Sequence, residues 1–167
     1  MEKKKKQGYK LSPKEYRDNL AHIELRNIVM INGSAKLKKE NLEINQAMNF
    51  IIVEKANFSK KYSTENMIVI IQKYTLTTYH KEKTDYIFKI IGDYEITLDQ
   101  QKKLSKDFWD IYKNMNLPVN TYPYFREFAQ SMTQRLNLPP LTLPLSKWQK
   151  KGEQKALLFF WPIAWLS

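Results

Sequence analysis

The sequence predicts an α+β fold, a four-stranded antiparallel sheet followed by two to three helices, in an oligomeric assembly. Three observations carry this prediction. Four strand-like segments follow one another between Ile23 and Ile96, and two segments of helical period come after them. Strands first and helices afterwards is the α+β order, whereas a parallel sheet alternates the two. The last two strands are apolar on both faces, Ile68 and Ile70 opposing Val69 and Ile71, while Tyr86, Phe88 and Ile90 oppose Ile87 and Ile91. An antiparallel sheet of that kind needs two covers. Two helices of one chain cover one face, so a second subunit is expected on the other.

The elements are read in order. Residues 1–18 form a basic tail and a short capped helix. Ser12, Pro13 and Glu15 make a capping box with proline at the first helical position, so the helix runs to about Ala21. Ile23 to Ile31 is rich in β-branched residues and is expected to stop at the turn signal Asn32-Gly33. From Leu42 to about Phe58 the apolar residues alternate through Leu42, Ile44, Met48, Phe50 and Ile52. Met67 to Tyr79 and Tyr86 to Ile96 follow, joined by the polar connection His80 to Asp85.

After Asp99, taken as a helix cap, Leu104, Phe108, Ile111, Tyr112 and Met115 recur at helical spacing. A second helix from about Thr121 to Leu136 sets Phe125, Phe128, Met132 and Leu136 on one face. Pro123 is read as lying in its first turn, where a missing backbone donor costs nothing, and Pro139-Pro140 stop it. The main domain spans 19–148. An apolar C-terminal tail occupies 149–167.

At 167 residues the chain suits one domain with tails. It has no cysteine, which excludes disulfides and thiolate metal sites, and Met1 to Lys10 lacks the apolar core of a signal peptide, so a cytoplasmic protein is expected. Leu157 to Leu166 is about half of the ~20 residues a membrane-spanning helix needs, so no membrane span is expected. The net charge of +11 admits a polyanion partner. Of the 28 basic residues, though, only Arg17, Arg26, Arg126 and Arg135 are arginines, and the lysines are scattered. Base readout and bidentate phosphate binding favour arginine, so nucleic acid is not the favoured partner.

Enzyme chemistry is not legible, and neither a cofactor nor a metal is expected. His22 and His80 have no partner at metal-ligand spacing, and four glycines supply no phosphate-binding loop. Arg126-Glu127 are helix neighbours that face different directions, which suits a structural role for each. Apolar residues are in surplus: Leu42, Ile44, Met48 and Phe50 in the second strand, and Leu141, Leu143, Leu145 and Trp148 after the last helix. They either pack as core or line a binding surface.

One block is more specific. Leu117-Pro118-Val119-Asn120-Thr121-Tyr122-Pro123-Tyr124-Phe125-Arg126-Glu127 is followed, after a helical stretch, by Leu138-Pro139-Pro140-Leu141-Thr142-Leu143-Pro144. The pair resembles the SecB chaperone family, in which a P-Y-x-R-E helix precedes an apolar segment of prolines and alternating leucines. Ile23-Glu24-Leu25-Arg26-Asn27-Ile28-Val29-Met30 is similar to the family's opening strand, and Lys83-Thr84-Asp85-Tyr86-Ile87-Phe88-Lys89-Ile90 to the start of its fourth.

The resemblance covers about residues 20 to 148 and implies an ATP-independent holdase that binds unfolded polypeptides, in protein export or in protection of an antitoxin. It implies a homotetramer built as a dimer of dimers, with the helix bearing Leu104, Phe108, Ile111 and Tyr112 between subunits. By position it places Leu42, Ile44, Met48 and Trp148, with Phe50 and Met30, in an apolar client groove. A short lysine-rich loop from Asn32 to Asn41, a basic chain and an apolar C-terminus depart from export members, which weighs against docking on SecA. The tail bearing Phe159, Phe160, Trp161 and Trp165 is a candidate pseudo-client lying in that groove, or else an element that seals the core. The rival from another class is a basic adaptor that binds nucleic acid or a membrane surface.

Overall fold

The computed structural model describes residues 11–42, 48–80, 85–138 and 141–143. Along the chain it runs α1 (Pro13–Leu20), β1 (Ile23–Leu37), a short 3-10 turn (Lys39–Asn41), β2 (Met48–Phe58), β3 (Met67–His80), β4 (Phe88–Gln100), α2 (Lys106–Asn114) and α3 (Asn116–Arg135). The strands form one antiparallel sheet in the order β1-β4-β3-β2, so β1 and β2 are its two edges.

The alternation legible in the sequence sets the sheet's two faces. In β4 every second residue is buried, from Phe88 through Ile90, Tyr94, Ile96 and Leu98 to Gln100. In β3 Ile70, Tyr74 and Leu76 continue that buried face, and α2 and α3 cover it. The opposite face, with Ile71, Ile91, Thr75 and Thr77, is half-exposed within one subunit. Each side chain the size of Ile or Phe withdrawn from water contributes about 1.5–3 kcal/mol, so the covered face holds the fold together.

Asn32-Gly33 is not a turn. β1 continues through it to Leu37, and Gly33 lies directly opposite Gly92 of β4 on the helix-covered face. A Cβ at Gly33 would sit 2.8 Å from Cζ of Phe128, and one at Gly92 would sit 3.3 Å from Phe125. The two glycines make a shallow seat into which α3 lowers two aromatic rings. A strand glycine here marks close approach of a packed element, not a bend.

Strand β1 carries two bulges, with Arg26 and Ile31 as the extra residues. Arg26 turns back to Asp99, Nε to Oδ2 at 2.8 Å. Asp99 is therefore a residue of β4 and not the cap of the next helix. That cap is Ser105, whose hydroxyl accepts from the backbone N–H of Phe108. The capping box at Ser12 and Glu15 is present in full, with both reciprocal bonds.

Helix α3 begins at Asn116, immediately after α2, so Pro123 lies in its interior. Lacking an N–H, Pro123 leaves the carbonyl of Val119 without its i+4 donor. Sheet-facing Leu117, Thr121, Phe125, Ala129 and Thr133 are buried on either side of it. That packing, not backbone hydrogen bonding, keeps the turn helical.

The centre of the core is aromatic. The Tyr74 ring stacks on Phe125 with centroids 4.8 Å apart, meets Tyr94 and Tyr122 at tilted angles, and shares a 2.7 Å hydrogen bond with the Thr121 hydroxyl. Burial pushes the phenols of Tyr74 and Tyr94 well above the ordinary tyrosine range, and takes Tyr122 up to about 12. Tyr16, packed on Phe108, is likewise raised by burial to about 12.

A folded-state pKa above the unfolded one contributes stability that is whole below the unfolded value and disappears as pH rises through the folded one. The unfolded phenol titrates near pH 10. The fold is therefore expected to weaken steadily above about pH 10 and to unfold as the buried phenols ionise. Denaturant melts at successive alkaline pH, read beside tyrosinate absorbance, check this. A stability unchanged well above pH 10 would contradict the buried tyrosine cluster.

Candidate functional site

Two apolar surfaces remain open on the helix-covered side, one at each edge of the sheet. The first lies where the chain crosses from β1 to β2. Asn41 anchors that crossing: its side-chain amide donates to the carbonyl of Tyr86 at 2.8 Å, and its own carbonyl lies 3.0 Å from Nε2 of buried His80. Lys38 pairs with Asp85, which holds that carboxyl below the usual range and raises the lysine.

This anchored corner presents Leu42, 36% exposed, beside the end of β3. Met48, the first residue of β2, is paired with His80 and half-buried against the core. Leu42 follows Asn41, whose carbonyl lies against His80, and Met48 is the strand partner of His80, so both belong to this end of β3. Phe50, two residues on, is only 1% exposed, and its ring belongs to the core beneath this surface.

The second surface lies at the other edge. Ile28 and Met30 of β1, Tyr94 of β4, and Tyr124, Glu127, Phe128, Ser131, Met132 and Arg135 of α3 line a cavity of about 380 Å³ whose floor is apolar and whose α3 side carries both charges. Met30 is 38% exposed at its rim. With β4 and β3 between β1 and β2, Met30 is separated from Leu42 and Met48 by the width of the sheet. The residues read from the sequence as one groove therefore fall on two surfaces. Ile44 and Trp148 lie outside the described residues, as do Phe159, Phe160, Trp161 and Trp165.

The stripe of Leu104, Phe108, Ile111 and Tyr112 is occupied within the subunit. All four are buried by their own chain, Phe108 completely. Leu104, Phe108 and Tyr112 join the main hydrophobic cluster, where Phe108 and Tyr112 stack on one another. Trp109 between them meets Phe58 of β2 edge-on. Of the apolar residues after α3, Leu141 and Leu143 are core, and Arg126 Nε donates to the Leu143 carbonyl at 3.0 Å. Arg126 and Glu127 face different directions, as their helix spacing requires: Arg126 holds the segment after α3, and Glu127 is exposed on the opposite flank.

Sequence reasoning missed the cavity beside Met30. Its walls come from three elements, and only Gly33, as the seat of Phe128, signalled how closely α3 approaches β1. Among the described residues no group of three or more His, Asp or Glu side chains could hold a metal ion, and no helix is long and apolar enough to cross a membrane.

The described residues form a four-stranded antiparallel sheet with helices on one face and exposed apolar side chains at both edges. No protein-family model matches the chain, and no curated protein matches it. Among solved structures, the chain is similar to a SecB-like chaperone of Mycobacterium tuberculosis in complex with a peptide from the HigA1 antitoxin. The TM-score is 0.65 at 18% sequence identity, over 78% of this chain and 95% of that one. It also matches a Streptococcus agalactiae protein of unknown function at TM-score 0.39 and 12% identity, over 74% of this chain and 97% of that one. The chain has the SecB-like fold.

Proposed function

We propose that this chain is an ATP-independent holdase that binds non-native polypeptides on apolar surface and carries out no chemistry of its own. The observation that carries the reading is the corner of Leu42 and Met48. Leu42 stays exposed there at the edge of the buried core, and the anchoring of Asn41 by His80 and Tyr86 holds it in place. Apolar contact at about 25 cal/mol per Å² does not depend on client sequence, which is what a holdase needs. The edges of β1 and β2, unpaired among the described residues, can add backbone hydrogen bonds to an extended client.

Protection of an antitoxin is favoured over export. The mycobacterial neighbour is in complex with an antitoxin peptide, and a chain of net charge +11 departs from the acidic surfaces through which export members dock on SecA. SecA is therefore not included among its partners. The working form is a homotetramer in the cytoplasm, a dimer of dimers whose grooves extend over more than one subunit.

Salt titration separates this from a basic adaptor. Binding of a denatured polypeptide is expected to change by less than about threefold between low and physiological salt, because apolar burial is not screened. A polyanion binder loses affinity by orders of magnitude over the same range. That steep loss, seen with the polypeptide, would overturn the proposal.

A further inference from the structure

The register of the sheet sets four lysines of its open face into two pairs. Lys36 of β1 lies directly opposite Lys89 of β4, and Lys55 of β2 directly opposite Lys73 of β3. Like charges in directly opposed positions, with side chains about 5 Å apart, repel and weaken a sheet. Lys36, Lys55 and Lys89 have no ion-pair partner among the described residues. Lys73 has a loose one: its Nζ is 3.5 Å from Oδ1 of Asp93, whose other carboxylate oxygen accepts from Asn32 at 3.0 Å.

A lane runs across the strands between the two pairs. Ser34, Ile91, Thr75 and Val53 are successive cross-strand neighbours along its floor. Lys36 and Lys89 stand on one bank, Lys73 and Lys55 on the other, each bank about 7 Å from the floor residues. The helices cover the other face of the sheet, so within the subunit the lane is open, with Val53 46% exposed. Asp93 is the one acid of the described residues along it. The other acids of this face, Glu24, Glu95 and Asp99, lie toward the opposite end, where Arg26 takes Asp99.

The cationic end is also the end that bears the apolar corner. Met48 pairs with His80 just beyond the pairing of Ile51 with Thr77, so β2 alone separates the corner from the lane. A polypeptide seated at Met48 on the helix-covered side reaches the lane by passing over the β2 edge.

Carboxylates are the anions this lane fits. Its cations are lysines, point charges without the planar fork that grips phosphate in two places. None of Ser34, Ile91, Thr75 and Val53 is aromatic, so a nucleic-acid base finds no ring to stack on. An extended acidic segment points successive side chains to opposite sides and so can serve both banks.

We propose that this lane docks an acidic segment of the held polypeptide, so that the chain prefers clients in which a run of Asp or Glu flanks an apolar stretch. The proposal rests on the holdase reading and names the class of client that reading leaves open.

Fluorescence anisotropy with the full-length chain tests it, using one apolar peptide made with either of two flanks, a run of glutamates or an equal run of glutamines. At low salt the glutamate-flanked peptide is expected to bind about tenfold tighter, since several exposed ion pairs of modest strength act together. The margin should shrink as salt is raised, while the glutamine-flanked peptide, held by apolar contact, should hardly change. Lys36→Glu combined with Lys55→Glu should abolish the margin and leave glutamine-flanked binding intact. Each exchange places a carboxylate opposite the remaining lysine, so the melting temperature should not fall. Lys60→Glu combined with Lys61→Glu, in the exposed β2–β3 connection, alters net charge equally and should keep most of the margin.

Equal binding of the two peptides by the parent would overturn the proposal. So would a margin that survives the lane exchanges, or one that the control loses as fully, which would make it an effect of net charge. A single-stranded oligonucleotide that outbinds the glutamate-flanked peptide and is released by the lane exchanges would give the surface to nucleic acid instead. Altered sedimentation of the lane variant would give it to a second copy of the chain. Equal binding of both peptides defeats this inference alone, whereas binding of neither defeats the holdase reading as well.

Discussion

Phe125→Ala is expected to cost about 3–5 kcal/mol, enough to leave a domain of this size largely unfolded at physiological temperature. Phe125 is fully buried at the point where α3 meets the sheet, stacked on Tyr74 and seated over Gly92. Its removal takes away a large apolar side chain and leaves a cavity that Tyr74 cannot fill without giving up its hydrogen bond to Thr121. A conservative Phe125→Leu should retain most of the stability, since volume-conserving apolar exchanges usually cost less than about 1.5 kcal/mol. Urea melts measure both. If the alanine variant proved as stable as the parent, α3 would not be docked as described.

Leu42→Asp should weaken the binding of unfolded polypeptide at least tenfold while leaving the melting temperature nearly unchanged. Leu42 is outside the core and exposed, so folding does not depend on it. A carboxylate there must be desolvated by every client that covers the corner, and a tenfold loss requires only about 1.4 kcal/mol. Met48→Asp should weaken binding as well, but with a drop in stability, since Met48 also packs against the core. The contrast between the two variants separates loss of a client surface from loss of the fold. Equal binding by Leu42→Asp and the parent would remove the corner from the account.

The sequence disclosed the strands more readily than their arrangement. Alternation in β3 and β4 and the capping box of α1 are local patterns, and both are present in the fold. Asn32-Gly33 was misleading because the dipeptide that favours a tight turn also supplies a strand position without a side chain, and the docking of Phe128 decides between the two. Asp99 and Ser105 are both acceptable caps. The salt bridge of Asp99 to the bulged Arg26, 73 residues away in sequence, settles which one serves. Pro123 looked like a helix start because its cost in an interior is invisible until the packing that offsets it is seen.

The proposed binding surface was legible only in part. Period-two alternation places Met48 and Phe50 on one face correctly, but the same pattern cannot say that Phe50 is covered and Met48 only half so. Strand order is a property of long-range pairing, and it is the pairing of β1 with β4 that carries Met30 to the far edge from Leu42.

The central claim is that this domain holds non-native chains on exposed apolar surface without chemical energy. Aggregation of a chemically denatured protein, followed by light scattering on dilution into the full-length chain with no nucleotide present, tests it most directly. The account predicts that scattering is suppressed in proportion to the chain added, at stoichiometry near one client per assembly, and that ATP makes no difference. Undiminished aggregation in the presence of an excess of correctly folded protein would contradict it.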